Sequence, residues 1–465
     1  MSQIKPTQKM PFKLYPLNKS TSGSYSFFQS SPIVTFQWAQ NTSRLIDATS
    51  LYLCGKVKIM NRNGKQMPAN RFDLNGSAGN DVLGYEQCAY MDDRIGVNSL
   101  FEVVRVGDLQ GSMYEEQKNY HRNMSSVIAI TNSYKSMCSY GNMSLTSCAN
   151  NDVMSRECSS EIEFAIPISC GYIQSNAMLP LERGLEIQLN FAADSQVLYG
   201  LSAGNMVFEC SNLFVMGDYY ALSKPLTGLQ LNYSSYKNYF RPLSSGNDKQ
   251  NLPLHLSMVQ NLYHNFVPSQ FSNNSQYNSF STCPLLNETN DANGYAEAKI
   301  KQYSIMRSQI RFPLNYPVTE RVANKEGAFQ TIRSRQYLNS IYPYERNKSC
   351  VISPQSEART DMVMARTDPF KTPQSTDQGA VRQWAKTDNA AWARSGKFEK
   401  WAHCFGIGTT YDSLHVRQYS NFMNAVYNFS IESELDNTAT DNFAFCTAVT
   451  ELESSNKGRQ IIAVN

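Results

Sequence analysis

Apolar residues fall on every second position in short runs from one end of the chain to the other. Val34, Phe36 and Trp38 alternate with Thr35 and Gln37, and Leu185, Ile187, Leu189 and Phe191 with Glu186, Gln188 and Asn190. Ile162-Phe164-Ile166 and Met206-Phe208-Cys210 repeat the pattern, and Leu51–Ile59 runs into Asn63-Gly64, a tight-turn signal. A strand with one dry and one wet face belongs to an antiparallel sheet, so this periodicity predicts a mostly β chain.

The grammar occurs twice. In the second half Leu229, Leu231 and Tyr233 alternate with polar neighbours, as do Leu252, Leu254, Leu256 and Met258, with Pro253 marking an edge or a strand start. Tyr427-Phe429-Ile431 and Phe443-Phe445-Thr447-Val449 supply late strands. Two helices are expected among the strands. One opens at the capping box Ser112–Glu115 and carries Met113, Tyr120, Met124, Val127 and Ile128; the other lies near 319–342. The Pro- and Gly-bearing run Ser223–Gly228 reads as a hinge. At 465 residues the chain has room for two or three domains. The expected division is an arm at 1–24, a first domain at 25–222, a linker at 223–228, a second domain at 229–455 and a tail at 456–465.

Three polar stretches, near 134–160, 268–295 and 344–397, exceed ordinary loop length. The last repeats an A-R/K-T-D tetrad at Ala358, Ala365 and Ala385, and Asp388 is set to cap a short helix.

Charged residues make up 17% of the chain, against roughly 25% in an average soluble domain, while aromatics reach 12%. Such a surface is buried between subunits at little desolvation cost. Lys5, Lys9, Lys13 and Lys19 lie in residues 1–24 without an acid, so against a whole-chain charge of +3 the remainder nets −1. That segment is expected to be a flexible basic arm, touching genome or membrane or tying subunits together. The N-terminus lacks an apolar signal core, so usual secretion and a membrane span are not expected.

Catalytic or metal-binding constellations are not found. Of the 11 cysteines, Cys54, Cys170, Cys210, Cys404 and Cys446 sit in apolar or alternating runs as small hydrophobes, and Cys138, Cys148 and Cys158 in a polar stretch. No C-x₂-C pair exists, and reduced thiols are expected. The five histidines, His121, His255, His264, His403 and His415, form no metal motif; His403-Cys404 would point to opposite faces of a strand. Gly406-Ile407-Gly408 is too short for a dinucleotide fingerprint, and Asp92-Asp93 and Glu115-Glu116 read as solvated charge. No catalytic, cofactor-binding or metal-binding residue is therefore assigned.

Several segments resemble the major capsid proteins of polinton-like viruses and virophages. Asn98–Ser126 (NSLFEVVRVGDLQGSMYEEQKNYHRNMSS) resembles a strand–helix unit of their first jelly roll, and Ile166–Phe191 (IPISCGYIQSNAMLPLERGLEIQLNF) its later strands. Phe36–Ile59 resembles the entry strands, and Gly228–Phe240 and Leu252–Ser269 the opening of the second roll. The resemblance spans about residues 30–455. It implies two tandem eight-stranded jelly rolls, each with an inserted helix and with strands perpendicular to a capsid surface. It also implies a homotrimeric, pseudo-hexameric capsomer of an icosahedral double-stranded DNA virus, located in the virion and assembled in host cytoplasm or nucleus. Neighbouring capsomers, a penton protein and minor or cement proteins would be partners, with no cofactor and no enzymatic activity. The alternatives are a penton or minor capsid protein and a lectin-like tandem β-sandwich binding protein. An enzyme on a jelly-roll scaffold, such as a glycosidase, would need carboxylates converging in a cleft.

Overall fold

The computed structural model describes residues 6–18, 33–61, 91, 95–124, 162–198, 206–242, 248–252, 255–256, 259–268, 300–307, 310–317, 405–408, 412–413, 416–417, 427–433 and 443–454. The first half contains β1 (Pro6–Leu14), β2 (Ile33–Trp38), β3 (Asn41–Asp47), β4 (Tyr52–Asn61), β5 (Phe101–Gly107) and β6 (Met113–Lys118). After them come β7 (Ile162–Pro167), β8 (Met178–Leu181), β9 (Leu185–Phe191) and β10 (Met206–Leu222). Among the described residues, three single-turn α-helices lie between strands, α1 (Tyr120–Asn123), α2 (Gly171–Gln174) and α3 (Asp194–Val197), with 3₁₀ turns at Ala48–Ser50 and Gly96–Leu100.

Every pairing is antiparallel. One sheet has the order β1-β10-β4-β7, extended by β3 and β8 along the upper part of the long β10; the other has β2-β9-β5-β6. The second half holds β11 (Asn232–Pro242), β12 (Asp248–Leu252), β13 (Val259–Pro268), β14 (Ile300–Arg307), β15 (Ile310–Pro317) and β16 (Phe405–Gly408). A two-residue ribbon follows, β17 (Asp412–Ser413) with β18 (Val416–Arg417), then β19 (Tyr427–Ser433) and β20 (Phe443–Ser454). Its sheets run β11-β20-β13-β16 and β12-β19-β14-β15.

Set β3, β8 and the ribbon aside and number each half's eight strands afresh. Both halves then have sheets ordered 1-8-3-6 and 2-7-4-5, which is the strand order of a jelly roll. The duplication expected from the alternation is thus a duplication of topology. In the first roll the dry faces meet as predicted: Val34, Phe36 and Trp38 oppose Leu185, Ile187 and Leu189 across β2–β9, and all six are at most 2% exposed. Phe101, Phe191 and Phe208 continue this core, with the first two rings stacked at 5.3 Å.

Several expectations change. The arm at 1–24 contains β1, whose Met10, Phe12 and Leu14 are half-buried while Lys9, Pro11 and Lys13 face solvent. An edge strand tolerates Pro11, because one side of it owes no hydrogen bonds. The helix expected from Ser112 is a strand over Met113–Lys118 and a single helical turn after it. Asp108 causes this: its Oδ1 accepts from the backbone N–H of Gln110 (3.0 Å) and Ser112 (2.7 Å), with Gly111 at φ +90°, so the chain folds straight back onto β5. The run Leu252–Met258 is not one strand: β12 ends at Leu252, His255 has φ +47° and β13 starts at Val259.

The Asn63-Gly64 turn, the helix near 319–342, the stretch 344–397 with its tetrads and the Asp388 helix lie outside the described residues. So do Asp92-Asp93, Cys138, Cys148, Cys158, His403, Cys404, His415 and the tail 456–465.

Candidate functional site

Two of the lysines singled out as an arm make contacts along the surface of the fold. Lys9, on β1, reaches Asp218 on β10 (3.0 Å) and Asp47 at the end of β3 (3.2 Å), and these bonds raise its ammonium above the usual range. Burial pulls Asp47 up, but bonds from Thr49, Lys9 and Tyr220 outweigh it and hold the carboxyl low. Lys13 places its ammonium 3.7 Å from the Phe214 ring centroid. Lys5 and Lys19 lie outside the described residues. Lys9→Met is expected to leave the protein folded but loosen β1. The check is amide exchange, which should speed up across residues 8–14; an unchanged rate would mean that the ladder to β10 alone holds the strand.

Among the described residues no group of three or more His, Cys, Asp or Glu side chains is placed to hold a metal. His121, on α1, is buried; burial and then the neighbouring Arg122 charge lower it to about 3. Its Nδ1 lies 2.9 Å from the Arg122 backbone nitrogen and its Nε2 3.3 Å from Gln196 Oε1. His255 stands at a turn, and His264 belongs to β13. Cys54, Cys170 and Cys210 are free and buried, as expected of small hydrophobes, and Cys446 lies in β20.

The most concentrated buried polar chemistry lies at the joint where the first roll meets β11 of the second. Glu115, on β6, is only 3% exposed. Its Oε2 accepts from the Tyr172 backbone N–H (2.7 Å) and the Cys170 thiol (2.7 Å). Its Oε1 accepts from Gln117 Nε2 (2.9 Å) and from the backbone N–H of Tyr236 (3.0 Å), on β11. One carboxylate thus ties α2, β6 and the second roll together with no cation beside it. Burial pushes its carboxyl up, against the bonds it accepts, and burial together with this carboxylate pushes the Cys170 thiol well up.

Around this bridge the Tyr172 ring stacks on Tyr114 (centroids 4.6 Å apart) and meets Tyr233 edge-on at 5.1 Å. The Tyr233 hydroxyl donates to the Tyr114 carbonyl (2.6 Å) and lies 3.3 Å from Glu453, which pairs with Lys237 at 2.9 Å. Gly171 approaches β11 so closely that a Cβ on it would stand 1.8 Å from the Ser234 carbonyl oxygen. From α1, the Arg122 guanidinium lies 4.3 Å from the Phe240 centroid, and Asn238 Nδ2 donates to Asn123 (2.8 Å). Glu115 is not the solvated charge expected from sequence but is sealed in, whereas Glu116 faces the other way, part-exposed and 2.7 Å from Arg105. No sequence pattern singled out Gly171, Tyr172 or Tyr236, and Tyr233 was read only as a strand position. The available signal was Glu115 and Gln117 at alternate positions, one strand parity filled by polar residues.

These features do not converge on a cleft; they lock two sandwiches into a single body. By sequence, no protein-family model and no curated protein matches the chain. By structure, it aligns over 98% of its length with 95% of a chain in the PBCV-1 virus capsid at 11% identity and a TM-score of 0.52. It aligns over the same share with 92% of the Faustovirus major capsid protein at 8% identity and a TM-score of 0.51. The chain has the double jelly-roll fold. Both rolls of this fold, and the joint between them, fall within the aligned length. A Sputnik virophage structure aligns over 97% of the chain and 86% of its own at 9% identity and a TM-score of 0.47.

Proposed function

We propose that this double jelly-roll chain is a structural shell protein, the major capsid protein of an icosahedral double-stranded DNA virus, with no catalytic role. The observation that carries the reading is the repeat of one strand order in both halves of a single polypeptide, joined through a buried polar bridge. Two near-equivalent rolls held at a fixed angle give each subunit two similar flanks. Three subunits about a threefold axis then present six, the outline that tiles a hexagonal net. A surface of low charge supports burial between copies. In this reading the chain works as a homotrimeric capsomer within the virion. Neighbouring capsomers, a penton protein and minor or cement proteins are its partners, and its assembly takes place in host cytoplasm or nucleus. Residues 25–222 and 229–455 are the two rolls, with β1 added to the first. Contact with genome or an internal membrane falls to Lys5 and Lys19, since Lys9 and Lys13 are engaged within the fold.

The full-length protein, purified and viewed by negative-stain microscopy alongside its mass in solution, tests this directly. Pseudo-hexagonal trimers or closed shells are expected. A monodisperse monomer at every concentration and salt condition would contradict the shell reading and favour a tandem β-sandwich binding protein.

A further inference from the structure

We propose that the joint between the two rolls is a proton-linked coupling, in which Glu115 gains or loses one proton and Cys170 reverses its hydrogen bond to accommodate the change. The argument rests on what surrounds the carboxyl group. Two of its four partners, the backbone N–H groups of Tyr172 and Tyr236, can only donate, and the Gln117 amide meets it through its donor Nε2. Gln117 also directs its Nε2 to the Ser169 carbonyl (3.1 Å), so turning its amide over would break that bond. The Cys170 sulfur, 2.7 Å from Oε2, is the partner able to turn from donor to acceptor without giving up another bond. With Glu115 ionised, the thiol donates to Oε2. With Glu115 protonated, the carboxyl O–H donates to sulfur, and the three N–H donors keep their places. The proton exchanges with solvent, no bond other than O–H forms or breaks, and the thiol stays reduced.

The groups facing this carboxyl do not supply a compensating charge. From β6 and the turn before it come Tyr114, Gln117 and the Asp108–Arg183 pair, from α1 Tyr120, and from the α2 segment Cys170 and Tyr172. From the second roll come Tyr233, Tyr236, Glu453 and Lys237, the last bound to Glu453. Burial therefore places the titration above the ordinary carboxylate range. The sign follows from linkage: a carboxyl raised in the folded state stabilises fully below the unfolded value, about 4.3, and that stability is lost as pH rises through the folded value. His121, held low by burial, has the opposite slope between 6.5 and about 3, but it is common to every variant below.

The test uses the full-length protein. Infrared spectra of the wild type should keep a protonated-carboxyl band at pH values where exposed carboxylates have lost theirs, and the S–H stretch should shift with the same midpoint. Cys170→Ser, whose hydroxyl also donates and accepts, should preserve the titration; Cys170→Ala, which removes a donor to the ionised carboxylate, should move it at least tenfold in proton affinity further above the ordinary range. Across pH 4.5–8, the urea midpoint of Glu115→Gln relative to wild type should rise with pH. If that variant does not fold, the wild-type spectra and the two Cys170 variants decide alone. No carboxyl band surviving above the ordinary range, or a Cys170→Ala titration matching wild type, would overturn the coupling.

Discussion

Replacing Gly171 with alanine is expected to drive the two rolls apart. The added methyl group would sit 1.8 Å from the Ser234 carbonyl oxygen, 2.7 Å from its carbon and 3.2 Å from the Ser235 Cα, all of them backbone of β11. No rotamer relieves such a clash, so either α2 or β11 must move. Gly171 lies between Cys170 and Tyr172, which both donate to Glu115, so a shift of α2 also breaks the carboxylate bridge. Overpacking of a rigid contact costs about 1–3 kcal/mol where neighbours can yield, and here they cannot, so a loss of at least about 3 kcal/mol is expected. In equilibrium urea unfolding the single transition should split into two as the rolls lose their coupling, and protease should cut within residues 223–231. Gly217→Ala is the control. Its Cβ would meet the ends of the Leu51 and Phe12 side chains at 3.1 Å, groups that can give way, so only a slight change is expected. A Gly171→Ala protein with one transition at the wild-type midpoint would show that β11 is not seated against α2.

What the sequence made legible was the dry side of each sandwich. In β9 the alternation of Leu185, Ile187, Leu189 and Phe191 with polar residues is the burial pattern itself, and β2 and β7 behave alike. Legibility failed wherever the inward face was not apolar. In β6 the inward positions carry Glu115 and Gln117, because they face a polar joint and not a core, so the run reads as charge and its Ser112–Glu115 spacing imitates a helix cap. In β1 the alternation of Met10, Phe12 and Leu14 was present, but Lys9, Pro11 and Lys13 on the wet face of an edge strand gave it the composition of an arm. The long-range partner of each, Asp218 for Lys9 and Tyr236 for Glu115, lies more than a hundred residues away, and no local pattern encodes it. The solved chains of similar fold share only 8–11% of their residues with this one.

Removing the carboxylate itself should cost nearly as much as wedging the joint open. Glu115→Ala leaves the backbone N–H groups of Tyr172 and Tyr236 without this acceptor, takes one of two acceptors from Gln117 Nε2, which keeps the Ser169 carbonyl, and strands a weak thiol donor. Each buried N–H left unpaired costs about 1–3 kcal/mol. Against this stands one gain: the variant no longer buries a carboxylate without a cation, and water can enter the space the side chain vacates. The unpaired donors outweigh the relieved penalty, so a net loss of about 3 kcal/mol is expected in urea unfolding, with faster exchange at the Tyr172 and Tyr236 amides. The stability of this variant should also lose the wild-type decline with rising pH, since the titrating group is gone. Because Gly171→Ala and Glu115→Ala break the same contact between α2 and β11, their effects should not add. The double variant should fall short of the sum of the two single losses by at least about 1 kcal/mol. Strict additivity would mean that the carboxylate and the close approach at Gly171 stabilise separate parts of the molecule, and the joint would then not be the cooperative element that holds the two rolls at one angle.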